Sequence, residues 1–172
     1  RFGADVGDLD AFIAHTPNTR VFIPVAASVP GSFLSAVSTL ASPWSFQTER
    51  WADWLASLSD LRLLETHLRV VRWTLDELSM PGLLFCEIVE ELYRRNRFMK
   101  GTLVIRGRPA LPEKVMAPVL TVADRLSTVV PPEASLSFHH AAGSPDTRVL
   151  WYEQEVGVAL QHIGMLVGKR AH

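Results

Sequence analysis

One cysteine in 172 residues leaves no partner for an intrachain disulfide and no basis for a cysteine-bound metal cluster. A chain with a single thiol is expected in a reducing compartment, and the cytoplasm is the expected location. Excess charge of either sign is also missing. Seventeen Lys and Arg against eighteen Asp and Glu give a formal net charge of −1, with no basic cluster, so nothing electrostatic points to nucleic acid or an anionic membrane. Apolar runs are broken by Pro, Arg or Ser well before membrane-spanning length, and no basic n-region with a cleavage site opens the chain. What remains is a sequence that is 48% hydrophobic, long enough for one domain with a real core. The opening Arg1-Phe2-Gly3-Ala4-Asp5 has no initiator methionine and reads as the exit from an element, so a piece of a longer chain is expected.

The first hundred residues read as connector and then helices. Pro17, Pro24 and Pro30 punctuate a stretch of little periodicity. After Gly31, the spacing of Phe33, Val37 and Leu40 predicts a helix that stops at Ser42-Pro43, and Pro43 can sit in the first turn of the next. That next helix puts Trp51, Trp54, Leu55 and Leu58 on one face, with Trp44 and Phe46 near its start. So much aromatic bulk is expected either in the core or over a substrate groove, with core packing the first expectation. Asp60 can cap a third helix whose apolar stripe is Leu61, Leu64, Leu68 and Val71, with Arg62, Glu65, Arg69 and Arg72 in water and a structural His67 at the stripe's edge. A break at Ser79-Met80-Pro81-Gly82 leads to a fourth helix, with Phe85, Ile88, Val89 and Leu92 inward and Glu87, Glu90, Arg94 and Arg95 outward. Cys86 falls inside it, away from any strained turn, and reads as packing rather than as a nucleophile.

From Gly101 the texture changes. Thr102 to Ile105 is short and β-branched, and Pro118 to Ala123 is a continuous apolar run of buried-strand type. A loop from Asp124 to Pro132, a helix from about Glu133 to His140, a Gly143-Ser144-Pro145-Asp146 turn and a strand from Arg148 to Tyr152 follow. Then comes Gly157 to Gly168, in which His162 stands between that strand and a helix start. A histidine after a strand, ahead of a closing helix, has the placement a catalytic base needs at the carboxyl edge of a sheet; a loop histidine without chemistry is the competing reading.

Trp73 and Asp76, Pro81, Leu92-Tyr93 with Asn96, Gly101-Thr102-Leu103 with Gly107, Pro118 to Val122, Val129-Val130-Pro131, and His162 with Gly164 and Gly168 follow one another as in a known family. In these features, over roughly residues 73 to 172, the chain resembles the polyhydroxyalkanoate synthases and their relatives in the α/β-hydrolase superfamily. The resemblance implies an α/β fold: the C-terminal portion of an α/β-hydrolase, with residues 1 to 100 a helical cap and 101 to 172 the last strand-helix-strand-helix part of the core. In that family the order is nucleophile, acid, histidine, the nucleophile standing on a Gly-x-Cys-x-Gly or Gly-x-Ser-x-Gly elbow. No such elbow occurs here, so the first half of the sheet and the nucleophile are expected outside this chain.

A second departure concerns the acid. The family's aspartate stands four positions before the proline of its Val-Pro pair, and that position holds Ser127. Asp124, at the end of the same expected strand, is the first candidate to orient His162; a triad with the non-acidic Ser127 is the second and Asp5 the third. The competing expectation makes all three surface loop residues. The implied function is an acyltransferase acting on hydroxyacyl thioesters, with a coenzyme A thioester as substrate and no metal or organic cofactor. A serine esterase or depolymerase of the same fold is the alternative, as is a non-catalytic member that binds the polymer granule or a partner. A polyester or thioester substrate and a homodimer through the cap are the partners this family reading implies.

Overall fold

The computed structural model describes residues 7–24, 27–76 and 78–170. Helices come first. α1 (Asp8–Ala14) and a 3₁₀ turn (Thr19–Val21) lead to the two-residue strand β1 (Ser28–Val29) and to α2 (Gly31–Ala41), which ends where Ser42-Pro43 was expected to end it. A π-type segment (Trp44–Thr48) runs into α3 (Glu49–Ser57), and Asp60 caps α4 (Leu61–Leu75) by accepting from the Arg62 amide at 2.8 Å. β2 (Met80–Pro81) pairs antiparallel with β1 and opens α5 (Gly82–Glu87), which continues as a second π-type segment (Ile88–Arg94).

The remainder is mixed α/β. A small exposed hairpin, β3 (Val104–Ile105) with β4 (Arg108–Pro109), precedes β5 (Val119–Asp124), α6 (Pro132–Ala141) and β6 (Thr147–Tyr152), and α7 (Gln161–Val167) closes the described chain. β5 and β6 are parallel, in register from Val119 opposite Thr147 to Asp124 opposite Tyr152, with α6 as their crossover. Buried Thr121 and His139 tie α6 to β5 through a 2.9 Å bond between Oγ1 and Nδ1. Asp124 and Tyr152 therefore end at the same, carboxyl edge of the sheet, where their loops begin.

Three helical faces differ from the sequence reading. Trp51, Leu55 and Leu58 are not core: Trp51 is 66% exposed, and this face of α3 opens onto a groove that also touches Phe46, Trp54 and Leu68. In α4 the buried positions are His67 and Val70, while Leu61 and Leu68 are exposed, so the inward face is rotated from the apolar stripe and passes through the histidine. Glu90, expected in water, is 1% exposed. It lies in the second π-type segment, where each turn takes up an extra residue and positions downstream rotate relative to a regular helix. Its carboxylate accepts from the Thr19 amide (2.8 Å) and hydroxyl (3.0 Å) and faces the Arg94 guanidinium at 3.0 Å. Burial alone would raise its pKa, but the Thr19 bonds and the Arg94 charge outweigh burial and hold it below the usual glutamate value.

Cys86 behaves as read from sequence. It is 1% exposed and shares a small core with Ile23 and Val29, flanked by Leu34 and Phe85. Its thiol is expected to react slowly with an aromatic disulfide reagent under native conditions and rapidly in denaturant. Fast native labelling accompanied by loss of function would contradict a packing role.

Candidate functional site

The C-terminal edge of the β5–β6 sheet gathers the candidate residues. Asp124, Ser127 and His162 line one small space of about 10 Å³, near the lower limit for a single water, together with Gln154 from the loop after β6 and Ser45 and Glu49 from the helical part. His162 is not a loop residue: it lies in the first turn of α7, half-buried, with the Phe46 ring against its imidazole at 5.6 Å between centroids. Burial lowers its pKa from the ordinary 6.5, which keeps the ring neutral and able to accept a proton at neutral pH.

Asp124 is buried, and its carboxylate is already engaged. Oδ1 accepts from the Leu126 amide at 2.9 Å and Oδ2 from the Gln154 side-chain amide at 2.8 Å. The first bond turns the chain out of β5, and the second ties the ends of the two strands together. Neither uses up the carboxylate, which can accept about four hydrogen bonds when ionised. Asp124 and His162 thus share a cavity without a hydrogen bond between them among the described residues. Ser127 builds the turn instead: its hydroxyl accepts from the Val130 amide at 3.1 Å. Asp5 lies outside the described residues. Glu49, whose carboxylate accepts from Trp44 Nε1 at 3.1 Å, is a second acid at the cavity that the sequence reading did not single out. Among the described residues no group of three or more His, Cys, Asp or Glu is placed to hold a metal ion.

The loop from 153 to 160 sets where α7 begins. Gln161 bridges it, accepting from the Glu155 amide (3.1 Å) and donating to the Glu155 carbonyl (2.8 Å). Gly157 and Ala159 both adopt left-handed backbone, with φ of +90° and +60°, and Val158 to Leu160 are buried. The amides of Gly157 and Ala159 donate to Asp53 of α3 at 2.7 and 2.8 Å, and Asp53 in turn meets His67 Nδ1 of α4 at 2.7 Å. Nothing in the sequence flagged Asp53: it lies on the face of α3 away from Trp51, Leu55 and Leu58, where it is buried with Ser57 one turn on. Gly164, two residues after the histidine, faces the buried Tyr152 phenol, and a Cβ there would overlap the hydroxyl. Burial, with the Glu155 and Asp124 carboxylates nearby, holds that phenol well above its usual pKa, so it stays protonated.

The likeness read from Trp73 to Gly168 is borne out by comparison with known proteins. The chain is 26% identical over 145 residues to the poly(3-hydroxyalkanoate) polymerase subunit PhaC of Haloferax mediterranei, which covers 84% of this chain and 28% of that protein. It is 24% identical over 149 residues to the PhaC subunit of Allochromatium vinosum, covering 87% of the chain and 40% of the relative. Against the PhaC subunit of Synechocystis it is 21% identical over 135 residues, covering 78% and 33%. The chain spans well under half the length of these relatives. No protein-family model matches it.

Two outcomes test this geometry. In an NMR titration, His162 is expected to have a midpoint below 6.5, and Phe46→Ala, by admitting water to the ring, should move it up towards that value. Gly164→Ala is expected to destabilise the chain by about 1–3 kcal/mol in denaturant unfolding, because the new methyl must displace the buried Tyr152.

Proposed function

We propose that this chain is the C-terminal portion of a polyhydroxyalkanoate synthase-like enzyme of the α/β-hydrolase fold. Residues 1 to 100 form its cap and 101 to 172 its last core elements. The observation that carries the reading is the meeting of a neutral, half-buried His162 and the buried Asp124 at the carboxyl edge of a parallel sheet, in a chain similar to PhaC subunits along most of its length.

In the proposed reaction, a cysteine or serine supplied from outside these residues attacks the carbonyl of a hydroxyacyl thioester, and His162 takes its proton. Collapse of the tetrahedral adduct expels the thiol, to which the imidazolium returns the proton. The hydroxyl of a second hydroxyacyl group then gives its proton to His162 as it attacks the acyl-enzyme, and the imidazolium passes that proton to the departing cysteine or serine as the new ester forms. The lowered pKa suits the first step, since the base is already unprotonated. Asp124 uses its remaining lone pairs to orient the ring and stabilise the imidazolium, a contact that tightens in the complex with substrate. A coenzyme A thioester is the proposed acyl donor, and the cytoplasm, at polymer granules, the proposed location, with pairing of two copies through the cap. No helix among the described residues is long and apolar enough to cross a membrane.

A second reading has two observations in its favour: Ser127 stands where the resemblance puts the family's acid, and Asp124 does not hydrogen-bond His162. This fits a member that binds polymer or a partner without turning it over.

The two readings separate in an assay of thiol release from a 3-hydroxyacyl coenzyme A. The chain is assayed alone and as part of its complete open reading frame. Residues 1 to 172 alone should be inactive, because a base without a nucleophile and oxyanion hole retains little catalysis. In the complete product, His162→Ala should abolish turnover, and Asp124→Asn should lower kcat by up to about 10⁴-fold with KM nearly unchanged. Ser127→Asp should raise activity if the site lacks a well-placed acid. A complete product without turnover, or one indifferent to His162→Ala, would favour the binding reading.

A further inference from the structure

We infer that the buried Asp53–His67 pair is the positioning device for His162, holding from the cap side the backbone turn that aims α7 at the sheet edge. This rests on the reading of His162 as the base. The turn is costly to make. Gly157 and Ala159 are both left-handed, which an alanine adopts only under constraint, and the segment from Val158 to Leu160 is buried, so its amides need partners away from water. Asp53 supplies them. Its two carboxylate oxygens accept from Gly157 N at 2.7 Å and Ala159 N at 2.8 Å, clamping alternate residues of the turn across more than a hundred positions of sequence.

His67 completes the clamp. Its Nδ1 lies 2.7 Å from Asp53 Oδ2, and because a carboxylate only accepts, Nδ1 carries the proton and donates. Both side chains are nearly fully buried, 3% and 5% exposed for His67 and Asp53. From the other side, α4 presses Leu63 against Gly157 so closely that a Cβ would lie 3.0 Å from the Leu63 Cα. Only Leu160 and Gln161 separate Ala159 from His162, and Leu160 is the residue from which α7 starts. A shift of the turn therefore passes directly to the imidazole. Two helices of the cap region thus fix the orientation of a histidine that belongs to the sheet region, and no hydrogen bond of the clamp touches the imidazole itself.

Substitutions that change one bond at a time test this. Asp53→Asn replaces an acceptor oxygen with an NH₂ that cannot receive an amide proton. His67→Phe keeps a ring without the donor, and His67→Asn restores an N–H close to the place of Nδ1. By NMR on residues 1 to 172, Asp53→Asn and His67→Phe should speed exchange of the Gly157 and Ala159 amides about tenfold or more. They should also move the His162 titration midpoint, while signals of β5 and α6 stay in place. His67→Asn should recover most of both effects. In the complete open reading frame the same two variants should lower kcat on the order of 100-fold with KM little changed, again recovered by His67→Asn. If Asp53→Asn does not fold, the His67 pair gives the answer by itself. Lowered global stability with the His162 midpoint and kcat unmoved, or no difference between His67→Phe and His67→Asn, would make the pair an ordinary core contact and overturn the inference. Failure of the base assignment looks different: His162→Ala would leave turnover intact while the exchange and titration effects of the clamp variants remained.

Discussion

A buried turn with two left-handed residues cannot exist unless its amides find acceptors, and here a single carboxylate, Asp53, provides them for Gly157 and Ala159. Much of the arrangement of the molecule follows from that requirement. The acceptor must come from α3, so α3 has to lie against the end of the chain. His67 must reach the same carboxylate, so α4 turns its histidine inward and leaves Leu61 and Leu68 in water. Removing one partner from such a buried pair costs on the order of 3–5 kcal/mol, which gives a polar contact more say over the packing of these helices than any single leucine of the stripe.

The sequence made some elements legible and hid others for identifiable reasons. The ends of α2 and α6 and the run of β5 were readable because proline, glycine and β-branched residues act locally. The inward face of α4 was misread because a hydrophobic stripe weighs Leu68 above His67, and the burial of His67 depends on an aspartate on another helix. Glu90 was misread for a related reason: its placement depends on a π-type segment, which leaves no periodic trace in the sequence, and on Thr19, distant along the chain.

The candidate site was legible in part. His162 and Asp124 were singled out from order and spacing, and the structure brings them to one cavity. What spacing could not supply was their actual bonding. Gln154 holds Asp124, the Phe46 ring lies against His162, and Glu49 stands nearby; each comes from a contact between segments that the sequence places far apart. Both π-type segments fall where the helical part meets another element: one delivers Phe46 to the histidine, the other delivers Glu90 to Thr19.

The proposed base role of His162 makes one structural demand above the others. The decisive measurement is a crystal structure of the gene product from its initiator methionine, with an unreactive hydroxyacyl thioester analogue bound. A base role for His162 predicts a cysteine sulfur or serine oxygen on a strand-to-helix turn within about 3–3.5 Å of one His162 ring nitrogen, with Asp124 drawn towards the other. A nucleophile paired with a different histidine, or an analogue bound away from the cavity shared by Asp124 and His162, would contradict it.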